Sequence, residues 1–356
     1  MIKRGFISLC ATLVLLVLGS CTQTEQPTGT VTLDFSIGDV VTRATTPGDG
    51  NAADGGGIAF DGGNPDLVIL IENNSTHAIS KRYLGANTVD AVATFVEDTK
   101  QKRLQVQFTG LSAGEYTVYA VANTGGGSVW LTSTYFDSIG ASALNSKTFT
   151  SLGGATRPTV TDRMPLSAKG SLTVQSTGNG SVSLELLRCV AKVTVKFKNV
   201  TGGTLSLKDI NFYISDMNPT WGYLIPPAGT DSPTSAGDFR PLEMSAAGPI
   251  SIEDGTAIPG TYYVFPSQAQ GGIYYCSASF TWKLNEGDEQ TYENGYYATS
   301  DPLKGLRVFD KNYEDIPALL RNQHLTIEIR IGEGSDVSFN FIVGDWEPKT
   351  ESVEFN

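Results

Sequence analysis

The stretch CVAKVTVKF, residues 189–197, alternates between apolar and polar side chains at nearly every position. Successive side chains of a β-strand point to opposite faces, so this pattern predicts a strand with one face on a core and the other in water. Half-buried strands of this kind are typical of antiparallel sheets. The apolar positions are Cys189, Ala191, Val193, Val195 and Phe197.

The same alternation recurs along the chain and predicts an all-β fold. It is clear in YYCSASFTWKL, residues 274–284, and in HLTIEIRI, residues 324–331. Clusters of Gly, Asn and Pro separate the strands, as the turns of a β-sandwich require, and a turn or two of helix is expected only within 136–146. Further strands are expected at Leu67–Glu72, Ala91–Glu97, Leu104–Phe108, Tyr116–Ala122, Leu205–Ser215 and Tyr262–Phe265.

Composition limits the classes of partner. The chain has 356 residues, a net charge of −12, 17% charged residues and 39 glycines. Binding to nucleic acid needs clustered Lys and Arg, so this composition argues against it. A glycine-rich, weakly charged chain is typical of a turn-rich β protein that works outside the cell.

A short apolar run near the N-terminus ends abruptly at a cysteine. A basic pair precedes the run Phe6–Leu18, and two small residues follow it directly before Cys21. The run is too short to cross a bilayer as a helix, but it has the layout of a secretory signal. The residues around Cys21 resemble the lipobox of bacterial lipoproteins, which implies cleavage before Cys21 and a lipid on its thiol. The alternative is a plain signal peptide with a cysteine near the cut.

A strand is also expected shortly after this signal. Its apolar side chains alternate with polar ones and run on to a single arginine, Arg43, followed by Ala44. An arginine in a stretch of small residues suits a trypsin-like protease. The apolar positions of the strand are Val31, Leu33, Phe35 and Ile37.

Residues for catalysis or metal binding are not arranged in any familiar pattern. His77 and His324 have no partner at triad or ligand spacing, and the Gly- and Asp-rich segment 47–66 lacks the ligand spacing of a calcium loop. We therefore expect no enzyme activity, no cofactor and no metal, and we expect segment 47–66 to be a linker or a mobile loop. Cys189 and Cys276 form either one disulfide or two buried thiols, and the sequence leaves both open.

Several stretches, taken in order, resemble the fimbrillins of type V pili in Bacteroidales. GLSAGEYTVYAVAN, residues 110–123, is similar to the family's aromatic strand that ends in Asn. LELLRCVAKVTVKF, residues 184–197, is similar to its Arg-x-x-Ala-Lys-Val strand. LLRNQHLTIEIRI (319–331) and FIVGDWEPKTESVEF (341–355) resemble its Arg-Asn strand start and its terminal Asp-Trp strand. The order and spacing of these motifs over essentially the whole chain carry the resemblance.

The resemblance implies two tandem transthyretin-like β-sandwich domains. The signal peptide would be 1–20, the propeptide with the first strand 21–43, the N-terminal sandwich 44–180 and the C-terminal sandwich 181–356. It also implies a fimbrial subunit that reaches the outer membrane as a lipoprotein precursor and is cut between Arg43 and Ala44. Such subunits join other fimbrial subunits by donor-strand exchange, and the fibre supports adhesion to host or bacterial surfaces.

Two alternating strands at the ends of the chain would carry out this exchange. Removal of the first strand would leave unpaired strand edges and an apolar groove, which calls for an added strand. The expected donor strand has the apolar positions Val337, Phe339, Phe341 and Val343. The alternative is that both strands complete their own sandwiches, and that the protein is a non-polymerising surface lipoprotein that binds a glycan or a host protein.

Overall fold

The computed structural model describes residues 29–37, 60–61, 64–84, 88, 90–97, 102–123, 148–149, 165–227, 240–246, 248–253, 255–295, 305–310, 312–332 and 336–345. These residues form 24 strands and one 3-10 turn, Gln270–Gly272, which confirms the all-β prediction. No helix in these ranges has the length and apolar character needed to cross a membrane. The helical turn expected within 136–146 lies outside the described residues.

The N-terminal sandwich is formed by strands among the first eleven. Eight of them form one continuous sheet in the order β5-β4-β8-β10-β11-β1-β7-β6. The short strands β2 and β3 pair with each other inside the segment expected to be a linker. The bounds are β1 Thr30–Ile37, β2 Phe60–Asp61, β3 Asn64–Pro65, β4 Leu67–Asn73, β5 Ile79–Leu84, β6 Ala91–Glu97, β7 Lys102–Thr109, β8 Gly114–Ala122, β9 Thr148–Phe149, β10 Leu166–Val174 and β11 Gly180–Arg188.

The eight-stranded sheet folds over on itself at the β10–β11 hairpin. β10 pairs with β8 along its whole length, but it pairs with β11 only at the end that contains Leu166 and Arg188. Further along the hairpin, a Cβ atom on Gly170 would lie 2.3 Å from Cδ2 of Leu184. A larger residue at this position would force the Leu184 side chain to move, so glycine leaves room for this leucine. The halves β5-β4-β8-β10 and β11-β1-β7-β6 face each other across a common apolar core.

The C-terminal sandwich is formed by strands among the remaining thirteen, one of which, Gly222–Tyr223, pairs instead with β9. One layer has the order β17-β12-β23-β24, and the other has the order β15-β13-β19-β20, with β16 beside β13 and β21 beside β19. The bounds are β12 Ala191–Asn199, β13 Leu205–Ile214, β14 Gly222–Tyr223, β15 Leu242–Ala246, β16 Ile250–Ile252, β17 Gly255–Val264, β18 Ser267–Gln268, β19 Tyr275–Leu284, β20 Gln290–Glu293, β21 Leu306–Arg307, β22 Ala318–Leu319, β23 Gln323–Ile331 and β24 Val337–Asp345. Phe197 lies at the centre of the core, with its ring centroid 6.1 Å from that of Phe212 and 5.1 Å from that of Phe280.

The two sandwiches repeat one arrangement of strands. β1 pairs in parallel with β11 and antiparallel with β7. β12, the first strand of the C-terminal sandwich, pairs in parallel with β23 and antiparallel with β17. In each unit the first strand therefore lies inside a layer, between an antiparallel and a parallel neighbour, as expected for two tandem sandwiches.

The chain crosses from one sandwich to the other in two residues. β11 ends at Arg188 and β12 begins at Ala191, so Cys189 and Val190 alone form the connection. Because β11 pairs with β1, the sheet pairings place the crossing here and not at residues 180–181, where the sequence analysis puts the boundary. The alternating pattern runs on through both strands, so the sequence has no break that marks the change of unit.

A polar cluster at this crossing, the junction cluster, joins the two sandwiches. Nη2 of Arg321 donates to Oγ of Ser167 at 2.8 Å and to the backbone carbonyl of Leu187 at 2.7 Å. Asn322, at a φ of 59°, accepts at Oδ1 a hydrogen bond of 3.0 Å from Nη1 of Arg188. These bonds tie the turn before β23 to the ends of β10 and β11. Apolar residues from both units pack beside the cluster: Val68, Leu70, Tyr119, Val121, Cys189, Leu224 and Ile225.

The substitution Arg321→Ala is expected to destabilise the protein by about 2–4 kcal/mol. It removes charge-assisted hydrogen bonds and leaves Ser167 and the Leu187 carbonyl without them at a part-buried junction. Differential scanning calorimetry checks this. Because the junction cluster joins the two sandwiches, its loss is expected to split one unfolding transition into two.

Arg330→Ala on β23 is the matched control, because the Arg330 side chain is 47% exposed and lies 3.4 Å from Glu328. A surface ion pair of this kind contributes at most about 1 kcal/mol. Equal stability of the two variants would contradict the assigned role of Arg321.

Candidate functional site

β1 lies in the interior of a sheet and is hydrogen-bonded on both sides. Residues Val31–Ile37 pair in parallel with Gly180–Leu186 of β11, and Thr30–Ser36 pair antiparallel with Arg103–Thr109 of β7. We call the space between β7 and β11 that these residues occupy the β1 slot. Withdrawal of β1 would leave two facing strand edges unpaired.

The inner face of β1 is part of the core. Val31, Leu33 and Phe35 have no exposed surface. In the β7 register they stand opposite three further buried residues, Phe108, Val106 and Leu104 respectively. Full burial of three such side chains contributes roughly 5–9 kcal/mol. The backbone of Ile37 continues the strand and pairs with Leu186 of β11.

Polar contacts fix the position of β1 along the slot. Oδ1 of Asp34 accepts a hydrogen bond of 3.0 Å from Nε2 of Gln105 on β7. At the start of the strand, the backbone N–H of Thr30 donates to Oδ1 of Asn179 at 3.0 Å. A Cβ atom on Gly29 would lie 2.2 Å from the backbone carbon of Gly178, so only glycine allows the chain to enter this closely past the β10–β11 turn.

β24, the expected donor strand, lies at the edge of the C-terminal sheet. It pairs antiparallel with β23 at nine positions, from Val337 opposite Ile331 to Asp345 opposite Gln323. Among the described strands β23 is its one neighbour. The other edge of β24 is therefore not paired with any described strand. β1 and β24 thus differ in the number of sides on which they are paired.

The inner face of β24 contacts the C-terminal core through aromatic rings. Phe341 is 2% exposed and its ring centroid lies 5.9 Å from that of Phe309. Phe339 is partly buried and lies 5.5 Å from Tyr292, also between centroids. Val337 and Val343 are partly buried against the same core.

The structure places the two strands in different sandwiches, and no strand pairing joins them in the ranges described. Each lies in its own unit in this single chain. Cys21, Arg43 and Ala44 lie outside the described residues. The lipid attachment and cleavage sites therefore stay predictions.

The histidines have hydrogen-bond partners, and the cysteines are buried. Nδ1 of His77 lies 3.0 Å from Oε1 of Glu72, and Nε2 of His324 lies 2.9 Å from Oγ1 of Thr194. Both Cys189 and Cys276 are free buried thiols, which is one of the two alternatives that the sequence leaves open. Burial raises the pKa of the Cys276 thiol to about 12, far from the range of a reactive thiolate. No group of three or more potential metal ligands occurs in the part of the chain described.

Sequence reasoning missed the residues that position the strands. Gln105 and Asn179 hold β1, and Arg321 and Asn322 hold the two sandwiches together. The Arg-Asn motif was visible in the sequence, but its contacts are with residues more than a hundred positions away. No local pattern marks contacts of this kind.

Comparison with solved structures shows that the first of the following three shares the fold of this chain. A protein assigned to cell adhesion from Parabacteroides distasonis is 13% identical, with a TM-score of 0.51, over 92% of this chain and 99% of that one. The tip fimbrial protein Mfa3 of Porphyromonas gingivalis is 12% identical, with a TM-score of 0.48, over 90% of this chain and 100% of that one. The fimbrillin FimA of the same species is 12% identical, with a TM-score of 0.44, over 90% and 98%.

Comparison of sequences gives the family. No curated protein sequence matches the chain. The family model of fimbrillin-A associated anchor proteins Mfa1 and Mfa2 matches residues 78–352, which is most of the chain and includes strands of both sandwiches. The chain therefore belongs to the family of fimbrillin-A associated anchor proteins Mfa1 and Mfa2, a family of structural fimbrial proteins of the cell surface.

Proposed function

We propose that this protein is a structural subunit of a type V fimbria, exported as an outer-membrane lipoprotein precursor and polymerised by donor-strand exchange. One observation carries the proposal. The strand that runs towards the Arg43-Ala44 bond is an interior strand of the N-terminal sandwich, paired on both sides and buried at Val31, Leu33 and Phe35. A single cut after Arg43 would separate this strand from the chain whose core it completes.

In this scheme the lipid on Cys21 holds the precursor at the outer membrane until a protease cuts after Arg43. β1 then leaves with the propeptide, and the β1 slot presents two unpaired edges and an apolar groove. Unpaired edges readily accept a further strand, and alternating apolar side chains fill the groove. The slot is thus the acceptor site for another fimbrial subunit.

The proposed donor is β24 of the neighbouring subunit. As an edge strand it is hydrogen-bonded on one side, so its release interrupts one ladder, whereas its insertion into a vacant slot forms two. Its residues Val337, Phe339, Phe341 and Val343 alternate with polar or exposed residues, as those of β1 do. A fibre built in this way supports adhesion through ligands on host or bacterial surfaces.

The family description favours one alternative role, that of an anchor. An anchor subunit keeps the lipid on Cys21 and keeps β1 in its slot, so it holds a fimbria at the membrane without extending it. A non-polymerising surface lipoprotein that binds a glycan or a host protein would keep both features as well. These roles differ in the N-terminus of the mature chain.

Identification of the mature N-terminus tests the proposal directly. Protein sheared from the source cells is analysed by N-terminal sequencing and mass spectrometry. A chain that begins at Ala44 supports the polymerising subunit, and a lipid-modified chain that begins at Cys21 rejects it. Immunogold electron microscopy then distinguishes an anchor, found at fibre bases, from a lipoprotein that is not associated with fibres.

The substitution Cys21→Ala is expected to abolish incorporation of radioactive palmitate and to leave the precursor in the inner membrane or periplasm. The reason is that one thiol carries the lipid in the lipobox interpretation. Cys10→Ala is the matched control, since Cys10 lies within the signal peptide and should leave labelling unchanged. Equal labelling of the Cys21→Ala variant and the unmodified chain would reject the lipoprotein interpretation.

A further inference from the structure

The first and last strands of the described chain have closely similar sequences. Residues 31–40 read VTLDFSIGDV, and residues 337–346 read VSFNFIVGDW. We propose that β24 occupies the β1 slot of a second copy of this chain in the same direction as β1, with Val337 in the place of Val31 and Phe341 in the place of Phe35. This inference rests on the proposed function and adds the register and direction of the exchanged strand.

The buried positions of the slot are matched one by one in this register. Valine replaces valine at the first buried position and phenylalanine replaces phenylalanine at the third, so both pockets receive the side chains that they hold in the single chain. Phe339 takes the place of Leu33, the one buried position that has to accept a larger side chain. A shift of this register by two residues in one direction would place Ser335 at the position of Val31. A shift by two in the other direction would place Asp345 at the position of Ile37. Either shift puts a polar residue where β1 has an apolar one.

The polar positions are matched as well. Ser338 replaces Thr32, which keeps a hydroxyl on the outer face. Asn340 replaces Asp34, whose Oδ1 accepts a 3.0 Å hydrogen bond from Gln105. An asparagine Oδ1 can accept the same bond, because it is also an oxygen acceptor at the same position of the side chain. Ile342 in the place of the exposed Ser36 is the one departure from the polar pattern.

The direction follows from the residues after the core of the strand. The segment from Val337 to Val343 is almost symmetric, so its alternation alone would fit the slot in either direction. The next two residues, Gly344 and Asp345, coincide with Gly38-Asp39 only when β24 runs as β1 does. In this direction β24 would be parallel to β11 and antiparallel to β7, as β1 is.

The slot offers β24 more backbone pairing than its own sheet. Among the described strands β24 has β23 as its one neighbour, whereas β1 pairs at seven positions with β11 and at seven with β7. The transfer of β24 into a vacant slot therefore replaces one ladder by two and covers the groove of the slot. It also withdraws Phe341 from the C-terminal core, whereas the slot fully buries three side chains at the positions of Val31, Leu33 and Phe35. β24 in the single chain is a strand stored at an edge until a slot is free.

Disulfide trapping between two differently tagged copies tests the register and the direction. One copy carries Ser338→Cys, and the other carries Gln107→Cys, because Gln107 stands opposite Thr32 in the β7 register. The control partner carries Arg103→Cys, which stands opposite Ser36 and would meet residue 338 only if the strand ran in reverse. Each precursor is cut at Arg43 with trypsin, mixed with its partner and oxidised. Cys189 and Cys276 are at most 1% exposed and do not interfere.

The expected result is a linked heterodimer with Gln107→Cys that exceeds the one with Arg103→Cys by about tenfold, since disulfides form only at Cβ separations of about 4 Å. The two β7 positions lie roughly 13 Å apart along the strand. Copies that also carry Arg43→Ala should form neither link, because β1 still occupies the slot.

The other outcomes distinguish this inference from the proposed function. Fibres that link through Arg103→Cys would overturn the direction and leave strand exchange standing. Fibres without either link would overturn the register and also leave strand exchange standing. Complete cleavage at Arg43 with no fibres and no link would overturn both the inference and the proposed function.

Discussion

A chain that carries Arg43→Ala is expected to remain monomeric under conditions in which the unmodified chain forms fibres. Without the cut, β1 stays covalently attached and fills its slot at very high local concentration. An incoming strand would have to displace two hydrogen-bonded ladders and three fully buried side chains, whose burial contributes roughly 5–9 kcal/mol. That amount is comparable to the whole stability of a typical domain.

Size-exclusion chromatography and negative-stain electron microscopy measure the result. Arg330→Ala is the matched control, because it removes an exposed arginine of β23, which lies in the C-terminal sandwich and not beside the β1 slot. It should leave cleavage and fibre length unchanged. Fibres of normal length from the Arg43→Ala chain would show that the cut, or its position, has been assigned wrongly.

A chain truncated after Gly334 is expected to fold, to accept a strand and to donate none. The truncation removes β24, including Val337, Phe339, Phe341 and Val343. Loss of the buried Phe341 alone costs about 3–5 kcal/mol, and loss of the partly buried Val337, Phe339 and Val343 adds to this cost. The central rings Phe197, Phe212 and Phe280 stay in place. The melting temperature should therefore fall without loss of the folded state. After cleavage at Arg43, the truncated chain should terminate growing fibres and shorten them when mixed with the unmodified chain.

Circular dichroism melting and electron microscopy of the mixtures check both parts of this prediction. A chain truncated after Trp346 keeps β24 and serves as the matched control, with fibres of normal length expected. A truncated chain that is unfolded or degraded would mean that β24 is an indispensable strand of its own sandwich. A folded chain that leaves fibre length unchanged would mean that another segment is the donor.

The alternating patterns predicted strands well because they report directly on which side chains are buried. Val31, Leu33 and Phe35 were expected on one face, and all three are fully buried. The strand expected at Ala91–Glu97 has those same bounds in the structure. β17 was underestimated, with Gly255–Val264 observed where Tyr262–Phe265 was expected. The reason is that Pro259 and Gly260 interrupt its pattern and that a register shift occurs opposite, between Val195 and Phe197.

Alternation does not specify which strands are neighbours. The parallel pairing of β1 with β11 brings together residues about 150 positions apart, and nothing local in either strand encodes it. The same holds for the junction cluster, where Arg321 contacts Ser167 and Leu187 across the boundary of the two sandwiches. Partners of this kind are selected by the topology of the whole sheet.

The two-residue crossing at Cys189 and Val190 has a consequence for how a fibre bears tension. β11 continues into β12, β12 lies beside β23, and β23 is followed directly along the chain by β24. If β24 of each subunit is held beside β11 of the next, a pull on the fibre passes from strand to strand without crossing a long loop. Strands loaded along their length resist in shear, since many hydrogen bonds must break together before the strands slide. Such a fibre should be stiff and slow to extend. The force at which it breaks should be set by the strand pair with the fewest hydrogen bonds among those that carry the load.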